Sequence, residues 1–404
     1  MLFRSRYLKS GKSAGAIQII SRLSLAIIAF ATCCQLLVLS VYNGFEEIVQ
    51  SLYASFYTDV KVLPATGKFF QANDVLLKKI KGISGIESAS CFIEEKALLK
   101  HGETQTVVRI RGVDANYHAV SGVPKAIRQG SFSLGDAEHP GLVMGAGVQY
   151  AADVYVGDAL PADPLVVILP NISMPSGDLM NALTEGVVKP TGSFSIQQDF
   201  DNYYAFTNLP FLQQQMQLSE GMVSGIEIKT AKNTTVDKIR EELKHTLGNA
   251  FVIQTREEQN MSLYRTMKTE KWVIFAVLTF ILIIAAFNII SAMTMLVIEK
   301  QKDIHVLRSL GSSSGMIRTI FLSEGVLLGL LGTLSGVVLA ISLCLMQQKW
   351  KWLKIRGGSF LIDYFPVKLS LADIFVVTFS ALFIVLLSAW IPAHKASQSD
   401  SDLK

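Results

Sequence analysis

Two stretches of this chain carry residue patterns with chemical meaning, and neither is a catalytic site. The first is Glu299-Lys-Gln-Lys-Asp303-Ile-His-Val-Leu-Arg308-Ser-Leu-Gly311. Ile304, Leu307 and Leu310 recur every three residues and predict one apolar edge of a short helix that Gly311 can end. Such a helix suits a membrane surface or a groove on a partner protein. Its mixed charges, Glu299 and Asp303 against Lys300, Lys302 and Arg308, favour the protein. The second is Gly325, Gly329, Gly332 and Gly336, spaced four, three and four, which places all of them on one helical face. Small residues so arranged let backbones approach closely, and they predict a helix–helix interface with another span or a second subunit. Asn288, polar within an apolar run, is expected to hydrogen-bond between helices.

Reactive constellations are missing. The histidines His101, His118, His139, His245, His305 and His394 show no HExxH or paired-ligand spacing, and no GxSxG elbow occurs. Gly11-Lys12-Ser13 resembles the end of a phosphate-binding loop, but Arg6 stands where the first glycine belongs. Cys33, Cys34, Cys91 and Cys344 build neither a disulfide framework nor a metal knuckle. The expectation is no enzyme, no metal and no cofactor; any ATP must be bound by another chain. Polar groups within the apolar runs are few (Gln35, Asn288 and the boundary residue Glu324), which disfavours an ion-coupled transporter.

The elements that carry these patterns are membrane helices. Of 404 residues, 50% are hydrophobic and only 17% charged, with mean hydropathy +0.37. Soluble chains carry about 25% charged residues. A net charge of +4, without a basic run interleaved with aromatics, argues against nucleic acid. Four uncharged windows are long enough to span a bilayer: 23–42, 272–298, 325–346 and 374–393. The first has a basic flank like a signal peptide, but Ser40-Val41-Tyr42 offers no small-x-small cleavage site, so it reads as an anchor. Arg4, Arg6, Lys9, Lys12 and Arg22 precede it without an acidic residue, which predicts a cytoplasmic segment 1–22. Residues 43–271 are then extracytoplasmic, 299–324 a cytoplasmic loop, 347–373 an external loop and 394–404 a cytoplasmic tail. Loop 347–373 resists this topology: Lys349, Lys351, Lys354, Arg356 and Lys368 face only Asp363 and Asp373.

Residues 43–271 have room for one large domain or two small ones. A short strand is expected at 59–63, a helix at 74–80 and a hairpin of 88–100 with 104–112, turning at His101-Gly102. A second β–α–β piece follows at 225–229, from Thr234 or Thr235 through Leu247, and at 251–254. This order predicts an α+β subdomain (43–123 and 223–271) interrupted by a β-rich insertion, 124–222. From Gln129 to Gly225 the chain has ten acidic residues and one basic residue, Lys189. This is a solvated acidic face or a docking surface for a basic partner.

Several segments resemble known proteins. Asn288-Ile-Ile-Ser291 and Glu299-(x)3-Asp303-Ile304-(x)2-Leu307-Arg308-Ser309-Leu310-Gly311-Ser312 resemble FtsX/MacB-type ABC permeases. Arg6-Tyr7-Leu8, Ile20-Ser21-Arg22-Leu23-Ser24 and Leu39-Ser40-Val41-Tyr42-Asn43-Gly44-Phe45-Glu46 are similar to the lipoprotein-releasing (Lol) branch, and Pro392-Ala393-(x)2-Ala396 also matches. The resemblance implies an α-helical inner-membrane protein with four transmembrane helices (1+3), cytoplasmic termini and a large α+β extracytoplasmic domain holding a β-rich inserted subdomain. It implies a homo- or heterodimer with a second permease subunit. A separate ABC ATPase, which binds ATP and Mg2+, would dock on Glu299, Asp303, Ile304, Leu307, Arg308, Leu310 and Gly311. In the Lol branch the substrate is a lipoprotein released from the inner membrane to a periplasmic carrier, gripped in one paralogue by a proline-bearing hairpin. Pro170, Met174 and Pro175 sit where such a hairpin would be, and also suit an ordinary turn after a strand. The alternatives are a related permease for peptides or antibiotics and an FtsX-like cell-wall signalling subunit.

Overall fold

The computed structural model describes residues 15–156, 164–172, 183–231, 234–354 and 364–398. The motifs Arg6-Tyr7-Leu8 and Gly11-Lys12-Ser13, the basic residues Arg4 and Lys9, and Met174, Pro175, Arg356 and Asp363 lie outside the described residues. The chain divides into two units, Val49–Tyr264 and the remainder, up to Ile48 and from Arg265 onward. In chain order, α1 (Gly15–Phe56) precedes a sheet, α2 (Asp74–Lys81) and α3 (Val236–Leu247) belong to it, and α4 (Met261–Glu299), α5 (Gln301–Ser309), α6 (Ser314–Trp350) and α7 (Leu371–Gln398) follow. Four of these, α1, α4, α6 and α7, are long and apolar enough to cross a membrane. Uncharged runs form helices in lipid because only a helix satisfies every backbone group within its own segment.

Among the described residues ten strands form the sheet of the second unit: β1 (Val60–Pro64), β2 (Ile86–His101), β3 (Thr104–Val113), β4 (Ile127–Gly130), β5 (Gly141–Gly145), β6 (Leu165–Pro170), β7 (Leu183–Phe194), β8 (Tyr204–Asn208), β9 (Gly225–Thr230) and β10 (Phe251–Thr255). Their order is β10-β1-β9-β2-β3-β8-β5-β7-β4, with β6 paired to both β2 and β7. The expected hairpin is β2–β3, in register from His101 opposite Thr104 to Phe92 opposite Val113, and Gly102 at φ +56° makes its turn. In the expected first helix, now α2, Asn73 caps the start by accepting from the Leu76 amide. In α3 the stripe buries Ile239 and Leu243.

The stretch 124–222, expected as an inserted subdomain, contributes β4–β8 to the same sheet as its flanking strands. The reason lies in the length of β2. Strand β9 pairs only with its first half, Ile86 to Phe92, which leaves Leu98–His101 open for β6. Likewise β3 runs parallel to β8 from Arg109 to Val113. An aliphatic core that includes Ile93, Leu99, Ile110, Val167 and Leu212 therefore draws residues from both stretches.

Candidate functional site

The loop helix α5 is built to face two ways. Helix α4 stops at Glu299, Lys300 breaks the helical run, and α5 starts at Gln301. Ile304 is 2% exposed and packs with Val297, Ile317, Ala393 and Ala396. One turn on, Arg308 Nη2 donates to the Ser397 carbonyl at 2.7 Å, near the end of α7. Leu307 is half-buried. Gly311, at φ +88°, takes the left-handed conformation, and its N–H donates to the Arg308 carbonyl. Asp303 pairs with Lys300 at 3.1 Å, and Glu299 is exposed. The predicted single apolar edge is thus divided: Ile304 turns inward, while Leu310 is 78% exposed. Val306, which the three-residue repeat leaves out, is 59% exposed, and its spacing of four from Leu310 places both on one face.

The glycine stripe is an internal seam. A Cβ at Gly325 would fall 2.5 Å from Ala389 Cβ, and one at Gly329 would fall 2.0 Å from Val385 Cγ1, both on α7. At Gly332 and Gly336 the neighbours are Ile28, the Leu25 carbonyl, the Ala29 carbonyl (2.4 Å) and Thr32 on α1. The lower pair of glycines seats α7 and the upper pair seats α1, so this chain's own spans fill the stripe. Asn288 corrects an expectation. Its side chain is exposed and donates to its own helix, at Ala285 (3.2 Å), because the helix's i−3 carbonyl is the acceptor within its reach. The interhelical bond at this level is the Ser24 hydroxyl donating to the Asn288 main-chain carbonyl (3.3 Å). A second link joins Gln35 Nε2 of α1 to the Thr279 hydroxyl of α4 (3.0 Å).

The run Ser40–Phe45 forms a clasp at the far end of the same bundle. Asn43 Nδ2 donates to Asp373 Oδ2 at 2.6 Å, and Lys271 pairs with the same oxygen at 3.0 Å. Lys368 N–H donates to the Ser40 carbonyl, and its ammonium pairs with Glu47 at 3.1 Å. A Cβ at Gly44 would sit 2.5 Å from the Pro366 backbone, and Phe45 meets the Phe365 ring edge-on. The clasp ties α1 and α4 to the segment leading into α7.

Within the sheet unit, the last turns of α1 are held by aromatic rings and a buried charge. Phe56, fully buried, stacks on Phe200 with centroids 4.0 Å apart, and the Tyr53 hydroxyl donates to Asp199 at 2.7 Å. Arg111 lies beneath them, its guanidinium 5.2 Å from the Phe56 ring centroid and 5.0 Å from that of Phe92. It pairs with Glu227 at 2.9 Å and Glu94 at 2.5 Å. Burial alone would raise the Glu94 carboxyl, but Arg111 and Lys61 outweigh it and hold it below the usual carboxylate range. Lys61 is lowered, chiefly by burial and then by Arg111. A lone buried charge would be too costly, so the network holds only as a set. Glu94 stands directly opposite Arg111 in the β2–β3 register, a pairing the predicted hairpin already contained.

Of the predicted hairpin residues, Pro170 ends β6 and pairs with Leu183 of β7; Met174 and Pro175 fall outside the described residues. Among the described residues no group of three His, Cys, Asp or Glu side chains could hold a metal ion.

Comparison with known proteins gives two matches to families. Residues 21–246 match the MacB-like periplasmic core domain, and residues 275–400 match the FtsX-like permease C-terminal domain. The lipoprotein-releasing system transmembrane protein LolE of Haemophilus influenzae is 25% identical over 406 residues, covering 97% of this chain and 95% of the relative. LolC of Xylella fastidiosa is 26% identical over 408 residues, with the same coverage. Among solved structures, the periplasmic region of MacB from Actinobacillus actinomycetemcomitans is similar over 54% of this chain and 98% of its own, at 12% identity and TM-score 0.35.

Proposed function

The chain belongs to the family of permeases with a MacB-like periplasmic core and an FtsX-like C-terminal domain, and on that premise we propose that it is the permease subunit of an ABC complex releasing lipoproteins from the inner membrane to a periplasmic carrier. ATP and Mg2+ are bound by a separate ATPase subunit, and a second permease subunit completes the membrane part. The N- and C-termini are cytoplasmic, with one span before the external domain and three after it. The two-faced α5 carries this reading. Its exposed Val306 and Leu310, with Glu299 and the Lys300-paired Asp303, receive the ATPase, while Ile304 and Arg308 fix its other side to α6 and α7.

The rest of the geometry supports a mechanical role. A push on α5 passes to α6 and α7 because the seam at Gly325 and Gly329 leaves no gap for sliding apart. Gly332 and Gly336 carry it on to α1, one uninterrupted helix from Gly15 to Phe56. At its other end Phe56 belongs to the aromatic core of the sheet unit. The β6–β7 hairpin, with Pro170 at its end, is where the carrier is received. The relatives named LolC and LolE over nearly the whole chain point to lipoprotein as the client. Depleting the protein tests this: outer-membrane lipoproteins should accumulate in the inner-membrane fraction. Normal fractionation would leave the same machine serving another client.

A further inference from the structure

The loop after α6 is the place where the charge distribution opposes the proposed topology. Basic residues concentrate on cytoplasmic loops, yet this loop lies on the external side. Lys368 is accounted for by Glu47. For Lys349, Lys351 and Lys354, all exposed, no carboxylate lies within ion-pair distance among the described residues.

These lysines sit on a built turn. Buried Gln347 donates from Nε2 to the Leu353 and Phe365 carbonyls, both at 3.1 Å, and accepts from the Leu353 amide at 3.0 Å. One amide thus pins both sides of the loop. Lys351 closes α6 at φ +48° and ψ +40°, a conformation that glycine adopts without cost and lysine does not. Its ammonium lies 4.2 Å from the Tyr364 ring centroid. Trp350 and Trp352, 63% and 56% exposed, alternate with the lysines. Tryptophan prefers the boundary between hydrocarbon and headgroups, where its ring is apolar and its N–H meets water. Ammonium groups beside such rings, with no carboxylate partner among the described residues and directly at the end of a spanning helix, match a negatively charged headgroup surface.

We propose that Lys349, Lys351 and Lys354, flanked by Trp350 and Trp352, form a binding surface for anionic phospholipid headgroups at the outer face of the membrane. This rests on the topology proposed above. The lysines contact lipid phosphate and the indoles anchor the turn at headgroup depth, which fixes the outer end of α6.

The test uses the full chain with Trp272→Phe and Trp390→Phe, so that Trp350 and Trp352 are the emitters. It is reconstituted into bilayers containing brominated phosphatidylglycerol or brominated phosphatidylcholine. The brominated phosphatidylglycerol should quench the emission with an apparent affinity about tenfold higher, within what three lysines at about fivefold each can supply near an anionic surface. Lys349→Gln/Lys351→Gln/Lys354→Gln should bring the ratio to about one, as should high salt. Equal quenching by both lipids, or a preference that survives the triple substitution, overturns the proposal. Separately, Gln348→Cys, in a background without the native cysteines, should react with an impermeant maleimide on intact spheroplasts. Labelling only after lysis overturns the topology and the outer-face assignment with it. Labelling without lipid preference overturns the lipid surface alone.

Discussion

Arg308 of α5 donates to the main-chain carbonyl of Ser397 in α7, 2.7 Å away, and so fastens the loop helix to the end of the last span. Arg308, for which the family resemblance implies ATPase contact, is thus held by a bond within its own chain. The variants that separate docking from that bond lie on the other side of the helix. Leu310→Glu, alone or with Val306→Glu, should weaken co-purification of the ATPase by at least about tenfold, the loss of a modest interface anchor. Thermal stability should stay within about 0.5 kcal/mol, as for other surface changes. Arg308→Glu should lower both. Unaltered co-purification of Leu310→Glu would remove α5 as the docking element.

The seam makes a sharper claim about packing. Gly329→Ala places a methyl 2.0 Å from Val385 Cγ1 and should destabilise the chain by about 1–3 kcal/mol, the usual cost of overpacking. Val385→Ala removes Cγ1 and Cγ2 but keeps its Cβ 2.8 Å from the new methyl, so it should recover part of the loss in the double variant. Additive destabilisation, measured by thermal unfolding in detergent, would show that these residues do not share a contact.

The buried charge network predicts an asymmetry. Glu227→Leu removes one of the two carboxylates that balance Arg111 and Lys61 and should cost about 3–5 kcal/mol, because the buried network is left with excess positive charge. An exposed pair such as Lys300–Asp303 should lose at most about 1 kcal/mol on Asp303→Ala. Equal losses in denaturant unfolding would contradict the geometry.

Acid should dismantle the same network from the Glu94 side. Its carboxyl is held below the usual range in the folded protein. The stabilisation is therefore complete above the unfolded value of about 4.3 and disappears as pH falls through the folded value. The stability gap between the native chain and Glu94→Gln should be flat from about pH 7 to 5 and narrow below about pH 4. A gap that widens in acid would reverse the sign and refute the assignment.

The parts of this molecule that follow local rules were legible in its residues. Uncharged runs named four spans, alternation named the β2–β3 hairpin, and the spacing of Gly325 to Gly336 named a packing face. What local rules do not contain is the identity of a distant partner. The glycine stripe left open which helix fills it, and the answer depends on Val385, Ala389 and Ala29 on other spans. The pairing of β6 with Leu98–His101 joins residues some seventy positions apart, beyond any periodicity. Arg111 reads as an ordinary strand residue by alternation alone, although counting back from the Gly102 turn places Glu94 opposite it. In the Ser40–Phe45 run only the resemblance was visible. Its physical content, Asn43 to Asp373 and Gly44 against Pro366, needed the loop before α7 in place.

The central claim is that this chain couples ATP hydrolysis by a partner to the release of a lipid-anchored protein. The direct measurement is made on proteoliposomes holding the permease, its ATPase and a labelled lipoprotein, with a soluble carrier outside. ATP should move the label into the carrier fraction, and Leu310→Glu should abolish the transfer while leaving the permease inserted. Label that stays with the vesicles despite ATP turnover by an assembled complex would contradict the account.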